Sequence, residues 1–370
     1  MEPIRVGIIG VTPGQDYKTG GWANIAHLPA LQALPYYEIK ALSSRTRRSA
    51  EHTAEKFGVS YVFSTSSELI QCSEIDLVVI TVKVPDHFKL VTEAIEAGKH
   101  VHCEWPLANG LAEAQQLVEV ANRQGLRFGV GLQGRGSPAI RYVRDLIADG
   151  KIGQVLSSSM IGSGMNWGPG MPERNAYTLD KTQGATLLSI AGGHALDAHA
   201  YCLGEFETLT ATSGLLRKTV YFPLEDKVHT ASAEDQWAIS GTLQSGAIAS
   251  VHYRGGIVSG NNFYWEINGT QGDLRLSCDF GNLQVFQLKL EAAFDGSPLA
   301  PLEIPSHYYL APRLEDPVFN VAQIYALYAQ DRHNGTNECP DFNNALLRHQ
   351  MLDAIERSAR HGTRERYIAI

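Results

Sequence analysis

Hydrophobic residues in the first third of the chain follow two alternating patterns. A run rich in β-branched residues, at 75–81, is typical of a strand buried on both faces, and residues 37–43 form another predicted strand. Between such runs, apolar residues recur at helical spacing and the pattern stops at a glycine, as at 111–123 before Gly125. This alternation predicts an α/β domain with a doubly wound parallel sheet over residues 1–131.

The pattern changes after Gly153. Polar and apolar residues then alternate with a period of two in neighbouring segments separated by glycine turns, and Gly269-Thr270-Gln271-Gly272 is a hairpin signal. Strands without intervening helices indicate a large, open, mostly antiparallel sheet. Helical patterns return at 320–331 and 342–360. We therefore predict an α+β domain over residues 132–370, whose last helices are able to pack back on the first domain.

Composition and charge narrow the class of protein. A chain of 370 residues suits two domains, and its net charge of −8 argues against direct binding to nucleic acid. It contains no apolar run long enough to cross a membrane and begins directly with a strand-like segment, so we expect a cytoplasmic protein. The five cysteines include no Cys-x-x-Cys pair, which is typical of reduced structural thiols.

A glycine-rich segment, Gly7-Ile8-Ile9-Gly10-Val11-Thr12-Pro13-Gly14, follows the first strand and precedes a helix. Such a turn lets the backbone approach a pyrophosphate, which the helix N-terminus then binds through its amides. The segment departs from G-x-G-x-x-G because Val11 or Thr12 stands where the second glycine is expected. Gly10, Val11 and Thr12 are candidate dinucleotide contacts, and an ordinary glycine turn is the alternative.

The second predicted strand ends in hydroxyl and cationic residues instead of the acid that holds the ribose of NAD. Ser44, Arg45 and Arg48 suit a 2′-phosphate, so NADP is favoured over NAD as the cofactor. A solvated cationic first turn of a helix is the alternative reading of the arginines.

A histidine and an aspartate lie three residues apart in Gly193-His194-Ala195-Leu196-Asp197. On a helix they share a face, so Asp197 can orient His194, and we assign the pair as catalytic acid/base candidates. The alternative is a core histidine and an acid near a helix N-terminus. The histidines lack the spacing of zinc ligands, so we expect no metal.

Two further polar groups are candidate ligand contacts. Gln133 and Arg135 follow the last strand of the first domain, at the sheet edge where parallel sheets bind ligands. Asn166 and Trp167 lie in a polar-aromatic loop able to stack on a sugar ring. The alternative for Gln133 and Arg135 is that they anchor the linker between the domains. The alternative for Asn166 and Trp167 is a simple turn.

Taken together, these segments resemble the glucose-fructose oxidoreductase, inositol dehydrogenase and MocA family. The resemblance is carried by the glycine-rich start, His27-Leu28-Pro29-Ala30-Leu31 after Trp22, Glu104-Trp105-Pro106, Gly193-His194 with Asp197, and the hairpin signal at 269–272. It implies a Rossmann domain, NAD(P) at an interdomain cleft, a sugar-like substrate, and oligomerisation through the open sheet as a homo-dimer or homo-tetramer. It also implies cofactor contacts from Trp22, Val82, His87 and Glu104.

Two departures from the family pattern concern catalysis. Trp105 replaces the family lysine, and Ile190 replaces an acid four residues before His194. Since an indole does not titrate near neutrality, Trp105 is expected to line the substrate cleft without moving a proton. The first hypothesis is a sugar or polyol oxidoreductase that relies on His194. The second is a catalytically silent NADP-binding regulator resembling the galactose-pathway repressors of fungi, and the third is an enzyme that uses transient oxidation for other sugar chemistry.

Overall fold

The computed structural model describes residues 2–14 and 20–368. The chain divides into two compact units. The first comprises Met1–Gln133 and Tyr309–Leu346, and the second comprises Gly134–Tyr308 and Leu347–Ile370. Residues 309–346, which lie far beyond the boundary predicted at 131, therefore belong to the first unit.

Helices occur in both units. The α-helices are α1 Leu28–Gln32, α2 Arg47–Phe57, α3 Ser66–Gln71, α4 His87–Glu96, α5 Leu111–Ala121, α6 Pro138–Ala148, α7 Gly193–Leu203, α8 Val318–Asn334 and α9 Phe342–His361. A π-helical turn, Ala23–His27, precedes α1, and another, Leu188–Gly192, precedes α7. No helix within the described residues is both long and apolar enough to cross a bilayer.

The first unit is built around a six-stranded parallel sheet. Its strands are β1 Ile4–Ile9, β2 Tyr37–Ser43, β3 Tyr61–Phe63, β4 Leu77–Ile80, β5 His100–Glu104 and β6 Phe128–Gly131. They lie in the order β3-β2-β1-β4-β5-β6 with every pair parallel, which confirms the predicted doubly wound sheet. The order reverses between β1 and β4, and open parallel sheets bind their ligands at that crevice.

The core of this unit explains why the sheet forms where the sequence predicts it. All four residues of β4 are buried, as expected for a strand covered on both faces. Helix α8 is buried along most of its length and joins the core cluster around β1, for example through Tyr325. This helix, distant in sequence, covers the sheet together with α1.

The second unit contains a larger sheet. Its strands, and those of a separate two-stranded hairpin, are β7 Val155–Gly164, β8 Phe206–Gly214, β9 Thr219–Phe222, β10 Lys227–Thr230, β11 Gln236–Leu243, β12 Ile248–Gly255, β13 Phe263–Gly269, β14 Gly272–Cys278, β15 Lys289–Phe294 and β16 Ala300–Pro301. The eight-stranded sheet has the order β16-β15-β14-β13-β7-β12-β11-β8, and β9 pairs with β10. Among the described strands of this unit, only β7 and β12 pair in parallel, so the predicted mostly antiparallel sheet is confirmed.

The two faces of this sheet differ. Alternate residues of its central strands, such as Trp237, Tyr253 and Trp265, are buried. Helix α7 packs on this face, where the His199 ring stacks on Trp265. The residues between them face outwards, among them Ser250 and Ile161. Antiparallel sheets tolerate one solvated face. The alternating apolar and polar residues of the strands therefore form one covered face and one open face.

Candidate functional site

The glycine turn lies at the carboxyl end of β1, in the crevice between β1 and β4. Gly10 has φ 106°, and a Cβ on this residue would lie 2.9 Å from the backbone of Thr81. The amides of Gly10 and Val11 donate to the carbonyl oxygen of Ser43. A side chain is therefore excluded at Gly10, which is the requirement of a backbone that approaches a pyrophosphate closely.

Asn24, a residue the sequence analysis missed, fixes the rest of this turn. Its side-chain oxygen accepts from the Thr12 amide at 2.8 Å, and its side-chain nitrogen donates to Thr53 Oγ1 at 3.1 Å. A buried asparagine in an otherwise apolar helical pattern is the signal that could have revealed it. Trp22, predicted as a cofactor contact, is half-buried and meets the His27 ring edge-on at 6.2 Å.

The end of β2 carries the polar groups expected to meet the adenosine end of a dinucleotide. Ser43 is 1% exposed, and its hydroxyl has no hydrogen-bond partner among the described residues. Ser44 is half-buried, whereas Arg45 and Arg48 are exposed. An orphaned buried hydroxyl next to the glycine turn fits a ligand that would complete its hydrogen bonding.

The turns after β4 and β5 are joined by one imidazole. His87 Nδ1 lies 2.8 Å from the carbonyl oxygen of Pro106, and Nε2 lies 3.1 Å from that of Val82. Burial lowers the pKa of His87 below its usual range. His87 and Val82 were both predicted as cofactor contacts, and the His87 ring lies between the Val82 carbonyl and the Trp105–Pro106 turn.

Glu104 lies at the end of β5 within a chain of polar groups. Its Oε1 accepts from Gln133 Nε2 at 2.7 Å and lies 3.1 Å from His27 Nε2. On the other side of the His27 ring, Nδ1 lies 2.6 Å from the Tyr325 hydroxyl. The structure brings together the predicted residues Glu104 and Gln133, while His27 and Tyr325 were not predicted because almost 300 positions separate them in the chain.

His102 adds a third potential ligand to this chain. One donor atom each from His27, His102 and Glu104 lie within 4.8 Å of one another, a grouping that the sequence analysis did not predict. Burial lowers the pKa of His102 to about 3, so its ring is neutral. Since Tyr325 and Gln133 already approach two of the three groups, a polar cluster accounts for the arrangement, and the absence of a metal stays a prediction.

Trp105 differs from the expectation for a cleft residue. Its side chain is 3% exposed and its peptide bond to Pro106 is cis. The indole is therefore almost fully buried, and its place in a substrate cleft stays a prediction.

In the second unit, Asp197 is engaged by an arginine. Its two carboxylate oxygens accept from Arg135 Nη2 at 2.7 Å and Arg135 Nε at 2.9 Å, and its side chain is 1% exposed. Arg348, equally buried, places Nε 3.6 Å from the same carboxylate. Asp197 therefore holds α7 to the segment around Arg135, and the roles of Asp197 beside His194 and of Arg135 at a ligand stay predictions.

The polar-aromatic loop folds on itself. Trp167, at φ 62°, is 2% exposed and its indole N–H donates to the Thr178 carbonyl oxygen at 2.9 Å. Asn166 accepts from Asn175 Nδ2 at 3.0 Å. The loop thus buries the Trp167 ring, and stacking of this residue on a sugar stays a prediction.

Two family models match successive parts of the chain. The model described as the oxidoreductase family, NAD-binding Rossmann fold, matches residues 4–132. The model of the C-terminal domain of Gal80p matches residues 138–278. The first match spans the parallel sheet, and the second spans most of the antiparallel sheet.

Relatives in sequence include a dehydrogenase and a regulator. The dehydrogenase aclE of Aspergillus oryzae is 30% identical, over 97% of this chain and 97% of its own. The galactose/lactose metabolism regulatory protein GAL80 of Kluyveromyces lactis is 29% identical, over 78% of this chain and 67% of its own.

Solved structures show the same two kinds of protein. The transcriptional regulator Gal80p of Kluyveromyces lactis superposes with a TM-score of 0.85 at 26% identity, covering 98% of this chain and 91% of that one. Levoglucosan dehydrogenase in its apo form superposes with a TM-score of 0.86 at 22% identity, covering 100% of both chains. At that identity the second likeness is one of fold.

Proposed function

The chain belongs to the glucose-fructose oxidoreductase, inositol dehydrogenase and MocA family, whose NAD-binding domain is a Rossmann fold, and from this premise we propose that it transfers hydride between a nicotinamide cofactor and a sugar or polyol. The observation that carries the proposal is the group of residues at the carboxyl ends of β1 and β2, residues 10–14 and 43–48, which we call the crest of the first unit. There the turn leaves no room for a side chain at Gly10, and it adjoins the Ser43 hydroxyl, which has no hydrogen-bond partner among the described residues. Both features fit a bound dinucleotide.

The residues of the crest have distinct roles in this proposal. The backbone at Gly10 would lie close to the pyrophosphate, and Ser43 and Ser44 would bond to the adenosine ribose. Arg45 and Arg48 would pair with a 2′-phosphate, which favours NADP. The bound nicotinamide would supply or accept the hydride.

The proton of the substrate hydroxyl needs a separate acceptor. Trp105 has no group that titrates near neutrality, so we assign this proton to His194. Asp197 acts through its ion pair with Arg135, which fixes α7 and so positions His194 near the start of that helix.

Turnover tests this function. We expect the purified protein to reduce NADP or NAD with at least one of a panel of aldoses, lactones and polyols. Replacing His194 with asparagine should lower turnover by about 10²–10⁴-fold, because an acid/base group is lost, while the cofactor Kd stays within about twofold. Nicotinamide absorbance and fluorescence measure the two quantities.

The control is His361→Asn, since this exposed histidine at the end of α9 lies in the same unit. It should turn over like the unmodified protein. Undiminished turnover in the His194 variant would show that the acid/base assignment is wrong.

A cofactor-binding regulator is the second candidate function. It is favoured by the loss of the family lysine at Trp105 and by the match of residues 138–278 to the Gal80p C-terminal domain. In this case the protein would bind NADPH without turning over any sugar, and it would form a cofactor-dependent complex with a transcription factor. Absence of that complex with and without NADPH, together with turnover, would exclude the regulator.

The open face of the eight-stranded sheet supports a proposal about assembly. Its outward residues are small and polar with a few apolar side chains, including Ile161 and Ile248. We propose that two copies associate through this face as a homo-dimer, or as a homo-tetramer that contains this dimer.

A further inference from the structure

His87 begins α4 and is 1% exposed. Each of its two ring nitrogens lies at hydrogen-bond distance from a backbone carbonyl oxygen. Nδ1 is 2.8 Å from Pro106, in the turn after β5, and Nε2 is 3.1 Å from Val82, in the turn after β4. A single side chain therefore bridges the two turns that end neighbouring parallel strands.

These two contacts compete for the single N–H of a neutral ring. A carbonyl oxygen only accepts hydrogen bonds, so both contacts need an N–H. A neutral imidazole carries one N–H and can satisfy one carbonyl, whereas an imidazolium carries two and satisfies both. The number of bonds between the turns thus depends on the protonation of His87.

We propose that His87 is a positioning residue that ties the turn after β4 to the turn after β5, and that protonation of its ring adds the second bond and strengthens binding of the nicotinamide cofactor. The second part of this inference rests on the proposed function. Its physical basis is that the carboxyl ends of parallel strands form the ligand crevice, so a tie between two of these ends preorganises the crevice.

The electrostatic surroundings set the direction of the response. Burial lowers the pKa of His87, while the carbonyls of Pro106 and Val82 and the charges of Glu104 and Asp86 raise it, with burial dominant. The ring is therefore neutral at neutral pH. Its proton resides on Nδ1, because the distance to Pro106 is the shorter of the two. Acidification then adds the Val82 bond.

Cofactor titrations of three variants test the tie. We expect His87→Phe, which keeps a ring but has no donor, to weaken NADPH binding about 10-fold. His87→Gln, which donates without titrating, should recover most of that affinity at neutral pH. Because burial lowers the pKa of His87, the unmodified protein should gain affinity relative to His87→Gln only as the pH falls below the ordinary histidine range.

The matched control is His199→Gln, because His199 is a buried histidine of the second unit whose pKa burial lowers to about 3. It should follow the pH profile of the unmodified protein, and NADH titrations remove the effect of the 2′-phosphate. Equal affinity of His87→Phe and the unmodified protein, or superimposable pH profiles with and without His87, would overturn the inference.

A second measurement separates this inference from the proposed function. In free protein labelled with ¹⁵N-histidine, the signal missing from His87→Gln identifies His87. A neutral ring protonated at Nδ1, gaining a second proton on acidification, supports the tie even if the protein binds no nucleotide, a result that would refute only the proposed function. A ring protonated at Nε2 alone at neutral pH would refute the tie.

Discussion

Single residues at the end of β2 decide which nicotinamide cofactor the crest would accept. Three arginines stand close together there, but Arg47 donates to Glu51 at 2.7 Å, whereas Arg45 and Arg48 are exposed and have no ion-pair partner among the described residues. Arg45 and Arg48 are therefore the arginines at this strand end that are available for a 2′-phosphate.

This difference gives a prediction with an internal control. Replacing Arg45 and Arg48 together by alanine should weaken NADPH binding by about 10- to 100-fold, because charge-assisted hydrogen bonds to the 2′-phosphate are lost, and should change NADH binding by less than about twofold. Fluorescence titration with both nucleotides measures the effect. Arg47→Ala should leave both affinities unchanged, and equal losses for NADPH and NADH would contradict the assignment.

At the residue scale, burial also keeps two core histidines neutral. His102 and His199 both have pKa values lowered to about 3 by burial, so they stay neutral at physiological pH. His199 Nε2 lies 3.2 Å from Ser158 Oγ, which also accepts from Trp265 Nε1 at 2.9 Å. The His199 ring thus belongs to a buried group of polar side chains, with Ser158 and Trp265, beneath the second sheet.

At the scale of elements, the strand-to-turn transition after β1 combines two separable constraints. Gly10 has a positive φ, and a Cβ there would meet Thr81 at 2.9 Å. Gly58, at the end of α2, also has a positive φ of 67°, but no atom lies within 4 Å of its Cβ position. A comparison of the two glycines therefore separates the effect of a positive φ, which both have, from the effect of a close neighbouring atom, which only Gly10 has.

Gly10→Ala should destabilise the protein by about 2–4 kcal/mol and weaken NADPH binding at least about 10-fold, since it adds a steric conflict to the φ penalty. Gly58→Ala should cost only about 1 kcal/mol and leave cofactor affinity unchanged. Urea unfolding and NADPH titration provide the two measurements. Equal effects of the two substitutions would mean that close approach at Gly10 is unimportant.

At the scale of the whole molecule, the open face of the second sheet is the surface that a second copy would cover. Ile161 on β7 and Ile248 on β12 are 36% and 58% exposed there. Apolar side chains among small polar ones suit an interface that packs closely and still tolerates water when free.

We expect the unmodified protein to elute as a dimer or tetramer in size-exclusion chromatography with light scattering. Ile161→Asp should shift it toward a smaller species, because a charge would be buried without a partner. Leu224→Asp, on the 80% exposed tip between β9 and β10, is the matched control and should leave the mass unchanged. A monomeric unmodified protein would refute the assembly.

Much of the fold could be predicted from the sequence because secondary structure depends on neighbours a few positions apart. The β-branched run at 75–81 became the fully buried β4, and the period-two alternation after Gly153 became the covered and open faces of the second sheet. The glycine turn followed the first strand as expected. These features require only local geometry and the burial of apolar surface.

The pairing of polar groups was decided by the tertiary structure. Asp197 meets Arg135 across 62 positions, and His27 meets Tyr325 across 298. Trp167 is buried by a loop that closes on itself, and residues 309–346 return to the first unit. A hydrogen bond or an ion pair needs its two atoms within about 3 Å, and only the folded topology brings such distant residues that close. The sequence by itself therefore determined the two sheets and the glycine crest, while the partners of the site residues, and with them their chemistry, came from the fold.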